Sequence, residues 1–280
     1  MQGKGIRLSR LLPPDGRAVV VAIDHGQTFG PMPGLADFTR AAAGLKEADG
    51  VLLAPQMLRF SGDLFEGRHR PVPIVRLNWN TIHCEPWHYQ QAHIVKAFSV
   101  DGAVAVGAEV VLASLVLQTR SEEQDARNVQ QFAQLAEEAY ARGMPLIGEV
   151  FPVAGLRDRP AAFHDYIAKA CRIVCELGAD AIKTFYTGER FADVVSGVPI
   201  PILALGAEKM AREQDALALA QKAVASGAKG VVFGRNVVQA ARPALFLRGL
   251  KAVVEGQATP AEAADEYGLT ESDAPSPNLV

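Results

Sequence analysis

Residues 178–188 read Gly-Ala-Asp-Ala-Ile-Lys-Thr-Phe-Tyr-Thr-Gly and place one lysine, Lys183, inside an apolar run. Side chains of an extended strand alternate between two faces, so Lys183 shares a face with Ala181 and Phe185. Burial disfavours the charged form of an amine, and a neutral lysine amine is a nucleophile that forms an imine with a carbonyl compound. The segment therefore predicts a nucleophilic lysine. The alternative is a strand-end lysine that extends its amine to solvent.

Other polar or charged side chains also lie at or near the ends of short apolar runs. Leaving such groups buried and unpaired would cost several kcal/mol per charge, so their convergence favours a functional site. Each group also has a structural interpretation. Asp24 could cap the loop that follows it, and His25 could be a hydrogen-bonded histidine near the rim. Glu149 and Arg76 could form a structural ion pair. The residues are Asp24 and His25 after the first run, Arg76 and Asn78 on one face of the third, and Glu149 on the fifth.

Eight short apolar runs alternate with helical patterns along the chain. Such runs are typical of buried parallel strands, and eight strand–helix units in about 250 residues predict a (β/α)8 TIM barrel. The carboxyl ends of its strands would surround one lumen and gather the polar residues named above. The runs cover residues 18–23, 50–54, 72–78, 109–115, 145–150, 179–183, 201–206 and 230–234, and the helical patterns cover 35–48, 122–142, 160–177, 190–195, 208–226 and 236–254.

We expect one α/β domain with two additions. The barrel would span residues 1–258 and carry a polar and aromatic insertion at about 79–95. Residues 259–280 would form a C-terminal tail or a short helix. No Gly-x-Gly-x-x-Gly follows the first run, which disfavours a dinucleotide-binding fold.

The composition limits the partners. The chain has 280 residues, 49% of them hydrophobic, and a formal net charge of −3 without a basic block, so we do not expect nucleic acid as a partner. No apolar run reaches membrane-spanning length and no signal peptide is recognisable, so we expect a cytoplasmic protein without a membrane partner. The three cysteines, Cys84, Cys171 and Cys175, are expected to be reduced thiols.

Glycines after the seventh and eighth runs predict a phosphate site. Glycine before a helix allows backbone N–H groups to approach an anion, and barrels commonly hold phosphate in these two loops. The residues concerned are Gly206 and Gly234, and Arg235 would add a charge-assisted contact.

Three motifs together resemble the archaeal-type class I fructose-bisphosphate aldolases. They are Ala-Ile-Asp-His-Gly at residues 22–26, Gly-Ala-Asp-Ala-Ile-Lys-Thr at 178–184 and Gly-Arg-Asn at 234–236. This group of Schiff-base aldolases includes aminodeoxyheptosulosonate-type synthases and a thiolase for a phosphorylated quorum signal. The resemblance implies that Lys183 is the Schiff-base lysine and that Asp24 assists proton transfers. It also implies phosphate binding by Gly206, Gly234 and Arg235, and a homo-oligomer.

Two positions depart from the family pattern. Its aldolases carry a proton-exchanging tyrosine before Pro-Arg-Gly after the fifth strand, where this chain has Phe151 before Pro-Val-Ala-Gly. The usual Gly-Gly pair after the seventh strand is Leu205-Gly206 here. Fructose bisphosphate is therefore not the favoured substrate. Glu149 is the first choice to replace the tyrosine, since a partly desolvated carboxyl could titrate near neutrality; His25 and Tyr186 are weaker alternatives.

The insertion contains side chains that also serve as zinc ligands. They would support a metal-dependent aldolase, in which the metal activates a carbonyl as a Lewis acid. Their spacing matches no closed zinc pattern, and a substrate-facing or oligomer-facing loop is the simpler interpretation. The residues are His83, Cys84, Glu85, His88 and His93.

The leading hypothesis is an aldolase-type lyase or carbon–carbon transferase that uses no cofactor and no metal. It would act through an imine on Lys183, on a small and phosphorylated keto or sugar substrate, with thiolase-like acyl transfer as one variant. Arg76 and Asn78 would contact hydroxyl or carboxylate groups of the substrate. The alternative is a sugar-phosphate-binding barrel without catalysis, but a pure binder has no use for both Asp24 and Lys183.

Overall fold

The described residues form a closed barrel of parallel strands. A computed structural model of the chain describes residues 2–14, 16–84, 87–89 and 91–269. The strands are β1 (Ala18–Ala22), β2 (Gly50–Leu53), β3 (Val72–Arg76), β4 (Asn78–Asn80), β5 (Ile94–Lys96), β6 (Val110–Leu115), β7 (Leu146–Val150), β8 (Ala181–Phe185), β9 (Ile202–Leu205) and β10 (Gly230–Phe233). The barrel order is β1, β2, β3, β6, β7, β8, β9 and β10, and β10 pairs with β1. The predicted (β/α)8 TIM barrel is confirmed.

Helices pack around the outside of the barrel. Their buried faces form a core with the outward-facing side chains of the strands, such as Phe132 of a helix and Val75 of β3. In the described part of the chain they are α1 (Gln2–Leu11), α2 (Gly26–Phe29), α3 (Phe38–Ala43), α4 (Val100–Ala105), α5 (Glu122–Ala141), α6 (Pro160–Glu176), α7 (Phe191–Ser196), α8 (Glu213–Ala225), α9 (Arg235–Val238), α10 (Pro243–Glu255) and α11 (Pro260–Glu266). None of these helices has the length and hydropathy needed to cross a membrane.

Three predicted helices are shorter or divided. The pattern at 35–48 yields only α3, the pattern at 208–226 yields only α8, and the pattern at 236–254 yields α9 and α10. Pro243 stands in the first turn of α10, where its missing N–H group costs no intrahelical hydrogen bond. Proline at that position starts a new helix instead of continuing the preceding one.

The predicted insertion is a small hairpin. Strands β4 and β5 pair antiparallel outside the barrel, with Asn78 opposite Lys96. A short 3₁₀ helix, Thr81–His83, follows β4, and the Asn80 side chain caps it by accepting from the Ile82 N–H at 3.0 Å. The hairpin therefore holds the residues after β3 above the carboxyl end of the barrel.

The predicted tail begins as a short helix. Helix α11 starts with a capping box in which Thr259 and Glu262 satisfy each other's backbone N–H groups. It packs against α8 and α10. Residues 270–280 of the predicted tail lie outside the described residues.

Helix α1, which sequence reasoning missed, covers the amino end of the barrel. Leu11 is fully buried against the lumen residues, and a Cβ at Gly50, the first residue of β2, would lie 2.7 Å from Leu11 Cδ1. Lys4 donates to Asp180, just before β8, at 2.8 Å. Arg7 donates to the carbonyl of Gly143, just before β7, at 2.8 Å. The helix therefore closes the end opposite the predicted site.

We expect Leu11→Ala to lower the free energy of unfolding by about 2–5 kcal/mol, because it opens a cavity under the barrel. Ile6→Ala on the same helix is the matched control. Ile6 is 58% exposed, and its change should stay within about 0.5 kcal/mol. Urea unfolding of both variants measures the difference. Equal destabilisation would contradict the role given to Leu11.

Candidate active site

Lys183 points into the lumen from the middle of β8. It lies beside Glu149 in the register of β7 and β8, and its Nζ is 2.6 Å from Glu149 Oε1. Only 9% of the lysine side chain is exposed. The alternative of a lysine that extends to solvent is therefore wrong.

The Glu149 carboxylate is saturated with donors. Its Oε1 forms an ion pair with Lys183 and accepts from Arg76 Nη2 at 3.1 Å, and its Oε2 accepts from Arg76 Nη1 at 2.7 Å and from the Ser114 hydroxyl. Burial raises the pKa of this carboxyl, but the charges of Arg76 and Lys183 outweigh burial and hold the pKa well below its ordinary value. The expectation that Glu149 titrates near neutrality is wrong, because sequence alone gave no distances to these two cations.

Arg76 connects Glu149 to Asp24. Its Nε donates to Asp24 Oδ2 at 2.5 Å, and its Nη1 also donates to the Ser114 hydroxyl at 2.6 Å. Burial raises the pKa of Asp24, but Arg76 and Lys183 outweigh it and leave that pKa lowered. Two carboxylates and two cations thus balance in charge within the buried lumen. The predicted contact of Arg76 with substrate stays a prediction, and its guanidinium nitrogens already have protein partners.

Asn78 fixes the backbone of β6. Its amide nitrogen donates to the Ser114 carbonyl at 2.9 Å and to Gln131 Oε1 at 3.1 Å, and its oxygen accepts from the Ser114 N–H at 2.8 Å. These bonds use both amide hydrogens. Its predicted contact with substrate stays a prediction, while the observed bonds position Ser114 beneath Glu149.

His25 lies beside Asp24 at the end of β1. Its Nδ1 is 4.0 Å from Asp24 Oδ1, and this atom has no hydrogen-bond partner among the residues described. Burial lowers the pKa of His25 to about 4, so the ring is neutral at pH 7. A Cβ on Gly234 would lie 2.3 Å from the His25 ring, so this position requires glycine.

The predicted phosphate loops are only partly suited to an anion. The Gly206 N–H donates to the Val232 carbonyl at 3.2 Å, so it is not available to a ligand. Arg235 lines the cavity, and its buried Nε lacks a partner in the described part of the chain. Asn236, which ends the third sequence motif but received no role there, donates to the carbonyls of Gly206 at 2.9 Å and Glu208 at 3.0 Å and joins the two loops.

An ion pair at the cavity mouth was also missed. Arg157 donates to both Glu208 oxygens, at 2.7 and 3.0 Å, and its guanidinium lies 5.0 Å from the centre of the Phe185 ring. The hydrogen bond from Arg157 is the largest cause of the lowered pKa of Glu208, about 2. No sequence signal pairs these two loops, because they follow different strands.

The insertion places His83 in the site. His83 Nε2 is 3.7 Å from Glu149 Oε2 and lacks a partner among the residues that the structure describes. His93 Nε2 instead bonds Gln91 at 2.5 Å. Glu85 lies outside the described residues, and within the described ranges no three His, Cys, Asp or Glu side chains form a group able to hold a metal ion.

All of these strand ends surround one cavity that is open to solvent. Predicted residues and missed ones line it together. They include Asp24, His25, Arg76, Asn78, His83, Glu149, Lys183, Gly206, Gly234 and Arg235.

We expect the histidines to make the fold sensitive to acid. The pKa of His83 is lowered by burial from 6.5 to about 4, so unfolded His83 binds a proton in a pH window where folded His83 does not. The stability contribution is complete above pH 6.5 and falls as the pH drops toward 4. When the pH is lowered from 7 to 5, the free energy of unfolding should fall by about 2 kcal/mol less in His83→Gln than in the unmodified chain. Urea unfolding at both values measures this, and equal losses would contradict it.

Comparisons with known proteins agree with this geometry. Residues 18–240 match the model of the DeoC/LacD family aldolases. The chain is 30% identical to an uncharacterized aldolase of Saccharolobus solfataricus, over 94% of this chain and 98% of that protein. It is 32% identical to 3-hydroxy-5-phosphonooxypentane-2,4-dione thiolase of Escherichia coli, over 96% of this chain and 88% of that protein.

Solved structures extend the likeness. An archaeal fructose 1,6-bisphosphate aldolase is 26% identical with a TM-score of 0.77, covering 90% of this chain and 99% of its own. A Schiff base forming fructose-1,6-bisphosphate aldolase is 27% identical with a TM-score of 0.76 over the same shares. The chain therefore belongs to the DeoC/LacD family of aldolases and is an aldolase-type lyase.

Proposed function

We propose that this enzyme is a class I aldolase or carbon–carbon transferase that forms an imine between Lys183 and a small phosphorylated keto compound. The observation that carries this proposal is the buried Lys183 Nζ, 2.6 Å from the Glu149 carboxylate in an open cavity. The Schiff-base chemistry named for the similar aldolase structure supports it. A barrel that only binds ligands would gain nothing from a buried lysine.

Imine formation uses the hydrogens already present. Lys183 transfers one ammonium proton to the carbonyl oxygen and attacks the carbonyl carbon as a neutral amine; the oxygen then leaves as water together with a second hydrogen from the nitrogen. The third hydrogen stays on the protonated imine, so the positive charge is conserved at Nζ. Glu149 stays ionised and close to this charge, which makes it an electrostatic stabiliser of the protonated imine.

Carbon–carbon cleavage follows from the protonated imine. A base removes the proton of the hydroxyl on the departing carbon, the carbon–carbon bond breaks, and its electron pair moves to the imine nitrogen. A carbonyl product leaves, and a neutral enamine remains on Lys183. Protonation of the enamine carbon and hydrolysis by water complete the cycle, and Asp24 is placed beside Arg76 to orient these protons.

The phosphate on the substrate is supported by Arg235 and by the relatives. Arg235 lines the cavity, its buried Nε has no partner among the described residues, and guanidinium groups bind phosphate through charge-assisted hydrogen bonds. Among the similar proteins named above, the thiolase is named for a phosphonooxy dione and the aldolases of known structure for a sugar bisphosphate. Phe151 and Leu205 stand where the bisphosphate aldolases have tyrosine and glycine, so we favour a different keto phosphate. A cytoplasmic homo-oligomer stays a prediction.

Borohydride trapping tests the proposal. We expect incubation with a panel of keto phosphates and sodium borohydride to add one reduced substrate to Lys183, read by intact mass and peptide mapping. Phosphorylated members should react at least tenfold better than their unphosphorylated counterparts, because Arg235 binds the phosphate. Lys183→Met should give no adduct, and Lys229→Met, outside the lumen, should react normally. The absence of any adduct on Lys183 across the panel would contradict imine catalysis.

A further inference from the structure

We infer that His83 is a catalytic residue whose imidazole carries the proton that leaves and returns to the substrate during imine chemistry on Lys183. This inference rests on the proposed function. It gives a role to a residue that sequence analysis placed only in a loop with zinc-ligand side chains.

The position of His83 is fixed by the hairpin. It ends the 3₁₀ helix Thr81–His83, which Asn80 caps, so the ring is held by a short and defined segment. Only 14% of its side chain is exposed, and it lines the same cavity as Lys183.

His83 and Lys183 approach the same carboxylate from different oxygens. Lys183 Nζ is 2.6 Å from Glu149 Oε1, and His83 Nε2 is 3.7 Å from Glu149 Oε2. The latter distance is too long for a hydrogen bond, and Nε2 has no other partner among the described residues. An imine formed on Lys183 therefore shares the Glu149 carboxylate with a buried imidazole nitrogen that has no hydrogen-bond partner among the described residues.

The neighbouring side chains explain why the proton carrier must come from the hairpin. The His83 ring packs edge-on against Phe151 with 4.6 Å between ring centres, and Phe151 packs against Phe185 at 5.0 Å. Phenylalanine rings cannot exchange a proton. His83 thus adds a titratable group to an otherwise apolar part of the cavity wall, beside the residue that lacks a hydroxyl.

The other groups considered for this role are less suited. Glu149 Oε2 accepts from Arg76 and Ser114, its Oε1 accepts from Arg76 and pairs with Lys183, and cations lower its pKa. Tyr186 packs against Phe191 at 5.3 Å between ring centres, within the core outside the lumen. His25 faces Asp24, whereas the partner of Lys183 is Glu149. Burial lowers the pKa of His83 to about 4, so its ring is neutral at pH 7.

His83 can carry out both proton transfers of the cleavage. Neutral His83 takes the hydroxyl proton as the carbon–carbon bond breaks and its electron pair moves to the imine nitrogen. The resulting imidazolium returns that proton to the enamine carbon, which restores the protonated imine and neutral His83. In the direction of addition the same nitrogen removes the proton from the carbon next to the imine.

Solvent-deuterium exchange tests the assignment. The probe is the keto phosphate that the unmodified enzyme traps best, and the readout is deuterium incorporation at the carbon next to its carbonyl, followed by NMR in D₂O. We expect His83→Gln to slow exchange about 10²–10⁴-fold while borohydride trapping on Lys183 stays within about threefold, because only proton transfer is lost. His93→Gln, at the exposed end of the hairpin, should change neither rate.

A second variant separates proton transfer from positioning. His83→Ala should also trap substrate but catalyse deuterium exchange slowly. Added imidazole should raise the exchange rate of this variant at least tenfold. Normal exchange in His83→Gln would overturn the assignment, and so would joint loss of trapping and exchange without rescue by imidazole. Failure of the unmodified enzyme to trap any keto phosphate would instead overturn the proposed function and this inference with it.

Discussion

The ionised carboxylate of Glu149 is the interaction on which the rest of the site depends. It accepts hydrogen bonds from Arg76 and Ser114 and forms an ion pair with Lys183 in the centre of the lumen. Without it, Arg76 would have only Asp24 as a charged partner, and Lys183 would lose the carboxylate that contacts its Nζ. Removing one partner of a buried ion pair commonly costs about 3–5 kcal/mol. In the proposed mechanism the same negative charge stabilises the protonated imine on Lys183.

The strand register explains how the network is assembled. Glu149 lies beside Ser114 of β6 on one side and Lys183 of β8 on the other, so neighbouring strands bring the three side chains to one level. Below this level the lumen is filled by apolar side chains, and Leu11 closes it. Water therefore reaches the charges only from the carboxyl end, where the hairpin and the Arg157–Glu208 pair form the rim.

The sequence was sufficient for much of the fold and part of the site. Short apolar runs with clear boundaries revealed all eight barrel strands, and the alternation of side chains placed Arg76, Glu149 and Lys183 on the lumen face. The same alternation on β6 would have revealed Ser114. Helix α1 was missed because Leu11 is its only fully buried residue, so it lacks an apolar stripe. The charge state of Glu149 and the position of His83 depend on distances between residues of different strands and loops, and no local sequence pattern contains these distances.

The rate of imine formation in Glu149→Gln tests the central claim most directly. This variant keeps the size of the side chain but removes the charge that stabilises the protonated imine. With the keto phosphate that the unmodified enzyme traps, we predict that borohydride adducts on Lys183 accumulate at least tenfold more slowly. Glu109→Gln, which changes only a surface pair with Arg10, should react at the normal rate. Trapping by folded Glu149→Gln at the rate of the unmodified enzyme would contradict the account.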